Sequence, residues 1–230
     1  MTLLFIHGAG GGSVTWQLQL KHFKDARAIE LPGHPQGSGC STIEEYAQFV
    51  ERYIHTNHVN QAIPVGHSMG GAVAIEYALR NPGLIGIVLV GTGAQLRVRH
   101  ELIAMIPDDY IEASEMIARL SVAPGSDPLM VERIRNELLK VKPEVVYGDF
   151  LACNRFDRMN DVHRISCPVL VLCGAKDQLT PIQYSEYLHQ KIENSRLIIV
   201  PNAGHSVMLE RHREFNSAVQ DFEHSLVGSH

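Results

Sequence analysis

Ser68 lies in a short motif that suits a serine acting as a nucleophile. Residues 66–70 read GHSMG, which matches the G-x-S-x-G signature of a nucleophile on a tight strand-to-helix turn. An apolar run at residues 62–65 comes directly before the motif, and a helix-forming run at residues 72–79 follows it. A turn this tight predicts a strained positive φ at Ser68 and leaves no room for side chains at the two flanking glycines. The alternative is a turn of small residues that carries no chemistry.

Two further residues supply the base and the acid that such a serine needs. A serine hydroxyl reacts poorly at neutral pH until a base takes its proton and a third group orients that base. In a parallel sheet these groups stand on loops at the carboxyl ends of strands. The loops after the last two predicted strands offer Asp177 and His205, in the chain order serine, aspartate, histidine. We predict that His205 is the base and Asp177 the acid that holds it.

Each of these assignments has a plainer alternative. Asp177 could be a helix cap ahead of Pro181, and His205 could be a histidine on a surface loop. His67 adjoins the serine in sequence, but its side chain is expected to leave the turn in another direction. We therefore interpret His67 as a packing residue.

Acyl transfer also needs donors that stabilise a tetrahedral anion. The backbone amide of Met69, directly after Ser68, is one candidate. A second donor is expected from the glycine-rich loop at residues 7–13, because glycines let the backbone approach a substrate closely. The alternative for this loop is a dinucleotide site. Its glycines fit the G-x-G-x-x-G pattern poorly, and only Glu30 stands where such a site needs an acidic residue.

Alternating strands and helices must position these residues. Apolar runs predict six strands, at residues 2–6, 26–30, 62–65, 84–90, 168–173 and 197–200. Helical periodicity predicts helices between and after them, at residues 13–23, 43–54, 69–80, 182–192 and 210–226. Thr42 and Glu45 form a capping box at the start of the second helix. This alternation predicts an α/β fold with a mostly parallel sheet of about six strands flanked by helices.

The strand pattern is interrupted between residues 95 and 165, where several helices are predicted instead. One of them has Asp127 as its N-cap and Pro128 at its first position. Its apolar face is formed by Met130, Ile134, Leu138 and Val141. We predict a core at residues 1–94 and 166–227, with a helical cap at residues 95–165 inserted after the fourth strand. The alternative is a structural subdomain that does not gate a site.

Composition limits the class of function. The chain has 230 residues, 45% of them hydrophobic and 20% charged, with a net charge of −5. This length fits one domain with an insertion, and the acidic balance argues against a nucleic-acid partner. No signal peptide and no membrane span are expected. We expect a cytoplasmic protein in which four cysteines are reduced thiols: Cys40, Cys153, Cys167 and Cys173. Residues 228–230 read GSH, either native or a remnant of cloning, and are set aside.

Taken together, these motifs resemble those of the α/β-hydrolase superfamily, and most of all its compact carboxylesterases with a helical cap. The matching segments are HG at residues 7–8 with Trp16, LPGH at 31–34, GHSMGG at 66–71, GAKD at 174–177 and GH at 204–205. The resemblance implies a catalytic triad of Ser68, Asp177 and His205. It also implies an oxyanion hole formed by the amides of Ala9 and Met69, a strand order of 2-1-3-4-5-6, and no metal or other cofactor.

Two features depart from the pattern of this superfamily. The first strand corresponds to what is usually the third, so the first hairpin strands of the fold are not expected. Pro35 stands where the superfamily commonly has a glycine. Neither departure affects the three residues of the triad.

We therefore expect hydrolysis of a small-molecule carboxylic ester through an acyl intermediate on serine. The same triad serves relatives that cleave carbon–carbon bonds, make menaquinone precursors, or hydrolyse thioesters and amides, and the fold does not separate them. A non-catalytic ligand receptor is the alternative from another class. We expect no nucleic-acid partner and no stable membrane association, and we leave a homodimer open. Asn154 and Arg155, late in the helical block, are either substrate contacts or part of a solvated face.

Overall fold

A parallel sheet lies at the centre of the molecule. The computed structural model describes residues 1–227, and Gly228, Ser229 and His230 lie outside this range. The described residues form one sheet of six parallel strands in the predicted order, β2-β1-β3-β4-β5-β6. The strands are β1 (Thr2–Ile6), β2 (Ala26–Ile29), β3 (Ala62–His67), β4 (Ile87–Val90), β5 (Val169–Gly174) and β6 (Ser195–Val200). Because the order reverses at β1 and β3, the loops that leave these two strands lie side by side.

Helices cover both faces of this sheet. Residues 1–227 form α1 (Gln17–His22), α2 (Ile43–Thr56), α3 (Met69–Arg80), α4 (His100–Asp108), α5 (Tyr110–Leu120), α6 (Pro128–Leu138), α7 (Pro143–Arg155), α8 (Ile182–Lys191), α9 (Val207–Glu210) and α10 (His212–Val227). One apolar layer includes Val50 of α2 and Val73 of α3, and the opposite layer includes Trp16 and Phe215 of α10. All four residues of β4 are buried, as expected for a strand covered on both faces.

Several element boundaries differ from the prediction by one or two residues, and three elements differ more. β4 begins at Ile87 rather than at residue 84, because its pairing with β5 starts at Ile87 and Val169. The predicted helix at residues 13–23 is a 3-10 turn, Ser13–Trp16, followed by α1. The last predicted helix is divided into α9 and α10, because Arg211 between them has φ −131° and ψ 50°, outside the helical region. None of these shifts moves a predicted site residue.

The segment from residue 95 to residue 165 forms a helical insertion between β4 and β5, and we use that name below. It contains α4 to α7, and Asp127 caps α6 as predicted by accepting a hydrogen bond from the Leu129 amide. The two ends of the insertion meet where Gln95 pairs with Asp157 in a short antiparallel bridge. The division of the chain at residues 94 and 165 stays a prediction.

Polar contacts fasten the helical insertion to the core. Glu210, on α9, accepts hydrogen bonds from the amides of Gly204 and Ala123, both at 2.8 Å, and from the Ser126 hydroxyl at 3.0 Å. The Ser206 amide donates to the carbonyl of Ser121 at 2.8 Å. Residues 121–126 are therefore bound directly to the loop that follows β6.

The structure also bears on the expectations about membranes and thiols. Among residues 1–227, no helix combines the length and the apolar character that a membrane crossing requires. All four cysteines are free thiols, as predicted, and burial raises the pKa of the half-exposed Cys40 to about 11.

Candidate active site

Ser68 occupies the strained turn that its motif predicts. Its backbone has φ 54° and ψ −117°, in a region that L-residues rarely adopt. A Cβ atom on Gly66 would lie 2.1 Å from the carbonyl oxygen of Gly70, and one on Gly70 would lie 2.3 Å from that of Ile6. Only glycine fits at these two positions. The turn is held in place by the Ser68 amide, which donates to the carbonyl of Val90 at 2.9 Å.

The loops after β5 and β6 contact each other closely and bring Asp177 to His205. A Cβ atom on Gly174 would lie 2.1 Å from the carbonyl oxygen of Gly204, so the two loops cross with no side chain between them. The Lys176 amide donates to the carbonyl of Ala203 at 2.8 Å. Beyond this crossing, His205 Nδ1 lies 2.8 Å from Asp177 Oδ2. The predicted acid and base are therefore in direct contact.

Both carboxylate oxygens of Asp177 accept hydrogen bonds. Its Oδ1 accepts from the amides of Leu179 and Thr180, both at 2.9 Å, and its Oδ2 accepts from the Thr180 hydroxyl at 2.8 Å as well as from His205. Burial opposes ionisation of Asp177, but the charge and hydrogen bond of His205 and the bonds from Thr180 hold the pKa of Asp177 below its ordinary value. Asp177 does not cap α8, since Pro181 occupies that position.

Ser68 and His205 line the same cavity, which has a volume of about 350 Å³. With Nδ1–H donated to Asp177, the other ring nitrogen of His205 is left to accept a proton. Within residues 1–227 no hydrogen bond joins the Ser68 hydroxyl to the His205 ring. Catalytic hydrogen bonds of this kind are often long before substrate binds. The structure thus joins two of the three predicted residues and places the third in the same cavity wall.

The side chain of His67 lies against this site, whereas the sequence predicts that it leaves the turn in another direction. Its ring is buried as expected, edge-on to Trp16, but it does not lead away from the site. The ring centroid lies 4.6 Å from that of His205, and Nε2 donates to the His205 carbonyl at 3.0 Å. Burial, followed by the nearby His205, lowers the pKa of His67 to about 3. His67 is therefore a neutral packing residue that supports the backbone of His205.

The loop after β1 packs directly against Ser68. A Cβ atom on Gly8 would lie 3.1 Å from the Ser68 Cβ, so a side chain here would crowd Ser68. Within the described part of the chain, neither the Ala9 amide nor the Met69 amide donates a hydrogen bond. Glu30, which the dinucleotide alternative requires for a ribose, instead accepts hydrogen bonds from the amide and the hydroxyl of Ser13.

Buried His7 stiffens this loop. Its Nε2 accepts a hydrogen bond from the Leu31 amide at 3.1 Å, and its Nδ1 donates to the Gly8 carbonyl at 2.9 Å. Burial, followed by repulsion from nearby His34, lowers the pKa of His7 to about 4. The ring is therefore neutral near pH 7, with one nitrogen donating and the other accepting.

The helical insertion supplies about half of the apolar side chains that line the 350 Å³ cavity. The lining residues of α6 include Met130, Ile134 and Leu138, three of the four residues of its predicted apolar face. A smaller cavity of about 80 Å³ shares Ser68 and Ala9 with the larger one. Asn154 and Arg155 line neither cavity, and Arg155 is exposed. Arg133 lines the larger cavity, and Arg97 and Arg99 line the smaller one; no sequence motif marks these three arginines.

A buried charge pair lies beneath the glycine-rich loop. His34 Nε2 is 2.9 Å from Asp149 Oδ2, and His34 Nδ1 is 3.0 Å from the carbonyl oxygen of Pro32. Both ring nitrogens thus face acceptors, which requires a doubly protonated ring. Burial of His34 opposes this charge, but the hydrogen bond and charge of Asp149 raise the pKa of His34 above its ordinary value. Pro35, the departure noted in the sequence, follows His34 through a cis peptide bond.

This pair predicts a pH-dependent stability. A raised pKa means that the His34 contribution is complete below about pH 6.5 and is lost as pH rises through the raised value. We expect His34→Gln to lower Tm at pH 6, by about 2–4 °C for each kcal/mol lost, and to lower it less at pH 9. Thermal unfolding from pH 5.5 to 9 measures this. Exposed His163→Gln is the matched control, and a Tm difference for His34→Gln that stays constant with pH would contradict the prediction.

Comparisons with known proteins agree with this geometry. Residues 3–218 match a model described as the alpha/beta hydrolase family. The pimeloyl-[acyl-carrier protein] methyl ester esterase of Neisseria meningitidis serogroup A is 27% identical over 213 residues, which cover 85% of this chain and 67% of that protein. The (E)-2-((N-methylformamido)methylene)succinate hydrolase of Acinetobacter baylyi is 24% identical and covers 95% of this chain and 88% of that protein.

A solved structure is more similar still. A thermophilic esterase is 35% identical, with a TM-score of 0.88, and the match covers 98% of this chain and 90% of that one.

Proposed function

Because this chain belongs to the alpha/beta hydrolase family, we propose that it is a serine esterase that cleaves carboxylic esters through an acyl-enzyme intermediate. The observation that supports this proposal most is the contact of Asp177 with His205, because His205 lines the same cavity as Ser68. Esterases stand among its relatives, including one at 35% identity. No metal or cofactor enters the proposed reaction.

The proposed reaction has two halves that use the same residues. In the first, Ser68 Oγ attacks the acyl carbon while His205 Nε2 takes the hydroxyl proton, and the oxyanion accepts hydrogen bonds from the amides of Ala9 and Met69. His205 then gives this proton to the leaving alcohol. In the second half, water attacks the acyl-enzyme, and His205 passes the proton of water back to Ser68. Asp177 holds the imidazole and stabilises its charged form throughout.

The shape of the site favours an apolar acyl or alkyl group on one side of the ester. The larger cavity is lined mainly by apolar side chains from the helical insertion and from α1 and α9. The smaller cavity, at about 80 Å³, has room for a short group on the other side of Ser68. Charged side chains that line the larger cavity carry both signs, with Asp127 and Glu137 beside Arg133. This lining favours a neutral group in the larger cavity, whereas the smaller cavity is lined by Arg97 and Arg99.

An ester panel tests this proposal. We expect p-nitrophenyl esters with acyl chains from two to about sixteen carbons to be hydrolysed with a clear optimum, because one methylene in an apolar pocket is worth about 1–3 kcal/mol. Thioesters and anilides of the preferred chain length belong in the same panel. Absence of turnover with every ester would contradict the proposal. Faster turnover of anilides would favour amide hydrolysis.

Filling the larger cavity should move the optimum. Ile134, half-buried on α6, lines this cavity, so we expect Ile134→Trp to lower kcat/KM for the longest esters by about tenfold or more while short esters are spared. Leu139→Trp, at an exposed position next to the same helix, is the matched control. An unchanged chain-length profile for Ile134→Trp would show that the acyl group binds elsewhere.

A further inference from the structure

Asp149 is a buried carboxylate on α7 that meets three separate elements of the core. Its Oδ2 accepts hydrogen bonds from the Gly10 amide and from His34 Nε2, both at 2.9 Å. Its Oδ1 accepts from the Tyr46 hydroxyl at 2.5 Å. Gly10 lies on the loop after β1, His34 on the loop after β2, and Tyr46 on α2. A side chain of the helical insertion is thus bound to the glycine-rich loop that packs against Ser68.

The bond to Gly10 fixes the peptide next to Ala9. The Gly11 amide donates to the Gly8 carbonyl at 3.1 Å, which closes the loop into a tight turn. With the Gly10 amide held by Asp149, Ala9 is the residue among 9–11 whose amide donates no hydrogen bond within residues 1–227. The orientation of the Ala9 amide is therefore set on one side by the bonds from Gly11 and His7 to the Gly8 carbonyl, and on the other by the bond from Gly10 to Asp149.

Packing alone does not hold this loop in place. Gly10 has φ +62°, and a Cβ atom there would lie 2.6 Å from a methyl carbon of Leu138. The loop is thus pressed against α6 on one side and anchored by one carboxylate on the other. A hydrogen bond to a charged acceptor is roughly twice as strong as one to a neutral acceptor. His34, whose two ring nitrogens both face acceptors, lies 2.9 Å from this carboxylate and supplies a counter-charge to it.

We propose that Asp149 is a positioning residue that holds the loop at residues 8–11 so that the Ala9 amide points at the oxyanion. The inference rests on the proposed esterase function. It gives the helical insertion a part in the chemical step in addition to its part in binding the acyl group. Asp149 touches no reacting atom and acts only through Gly10.

Three variants separate this role from a purely structural one. Asp149→Leu removes both acceptors at similar volume, and we expect it to lower kcat by about 100-fold, the lower range for loss of one oxyanion donor. Asp149→Asn keeps one acceptor oxygen for Gly10, so its kcat should recover to within about tenfold of wild type. Tyr46→Phe is the matched control, because it disturbs the same buried cluster but leaves the bond between Asp149 and Gly10. We expect it to lower Tm and to leave kcat within about threefold.

A pair of ketones reports on the oxyanion site itself. A trifluoromethyl ketone forms a tetrahedral adduct with the reactive serine, whereas the methyl ketone of the same chain stays trigonal. We expect Asp149→Leu to weaken binding of the trifluoromethyl ketone by about 100-fold and binding of the methyl ketone by less than about threefold. The reason is that only the adduct of the trifluoromethyl ketone carries the oxyanion. A structural defect would weaken both compounds alike.

The possible outcomes are distinct. If Asp149→Leu folds and keeps its kcat and its affinity for the trifluoromethyl ketone, the inference is wrong and the esterase function stands. If Tyr46→Phe loses as much kcat as Asp149→Leu, the cluster has a general structural role and the inference is also wrong. If wild-type protein neither hydrolyses esters nor binds the trifluoromethyl ketone more tightly than the methyl ketone, the proposed function itself fails.

A folding defect in Asp149→Leu would not block the test. In the triple variant Asp149→Leu, His34→Leu, Tyr46→Phe, the side-chain members of the cluster become apolar together. Replacing a buried ionic cluster as a whole is often neutral for stability, whereas removing one partner is costly. The triple variant leaves the Gly10 amide without its acceptor, so it should show the same selective loss of the trifluoromethyl ketone. Equal affinity to wild type would overturn the inference.

Discussion

Replacing Ser68 by alanine is expected to lower kcat for the preferred p-nitrophenyl ester by about 10⁶-fold, since losing a nucleophilic serine removes the whole acyl-enzyme route. Alanine keeps the Cβ of the strained turn, and the Ser68 hydroxyl makes no hydrogen bond within residues 1–227 whose loss would disturb the fold. We therefore expect Tm to change little. Steady-state kinetics and thermal unfolding on the same preparations measure both effects.

Covalent labelling provides the control for this variant. A fluorophosphonate should add one phosphonyl group to wild-type protein on the peptide that contains Ser68, and it should add none to Ser68→Ala. Labelling of another serine that lines the cavity, such as Ser121 or Ser206, would place the nucleophile elsewhere. Equal ester turnover by wild type and Ser68→Ala would contradict the proposed function outright.

Asp177→Asn is expected to lower kcat by about 10⁴-fold without unfolding the protein, because it traps His205 in the wrong tautomer. Oδ1 of Asp177 accepts from two backbone amides, those of Leu179 and Thr180. The carboxamide oxygen must take this place, since an NH₂ group there would face two donors. The NH₂ group then faces His205 Nδ1 and donates to it, which moves the imidazole proton to Nε2. A protonated Nε2 cannot accept the proton of Ser68.

The effect of Asp177→Asn on kcat can be distinguished from a loss of stability. The Asp177 pKa lies below its ordinary value, so its contribution to stability is complete above about pH 4 and falls only in more acidic solution. Assays of kcat at pH 7 to 9, with circular dichroism on the same samples, isolate the effect on His205. Asp161→Asn, at a surface position where Asp161 pairs with Arg164, is the control. A kcat within tenfold of wild type for Asp177→Asn would mean that another group orients His205.

Local patterns made most of the core predictable. The six strands follow from apolar runs, their order follows from the resemblance to the superfamily, and the family match agrees with the motif around Ser68. Asp177 and His205 could be selected because the loops after β5 and β6 leave the same edge of the sheet as Ser68 and offer an acid and a histidine in the expected chain order. Each of these inferences depends on residues that are close in sequence or on a topology with few alternatives.

The contribution of the helical insertion could be predicted only in part. The spacing of Met130, Ile134 and Leu138 showed that α6 has an apolar face, but not that this face lines the cavity with Ser68. Asp149 carried no local signal at all, because its partners Gly10, His34 and Tyr46 lie 103 to 139 residues away in the chain. A buried acidic residue on a helix becomes recognisable only when the packing of the insertion on the core is known.

The parts of the helical insertion differ in how firmly they are hydrogen-bonded to the core, and this difference affects how substrate specificity can evolve. α7 and residues 121–126 are bound to the loops that carry the chemistry. Among the described residues, the side-chain polar contacts of α6 stay within the insertion, as in the pairing of Arg135 with Glu115. Mutations on the cavity face of α6 away from Leu138, which packs against Gly10, can therefore accumulate without disturbing the reaction. A library randomised at Met130 and Ile134 would sample new specificities, whereas one built on α7 would lose catalysis first.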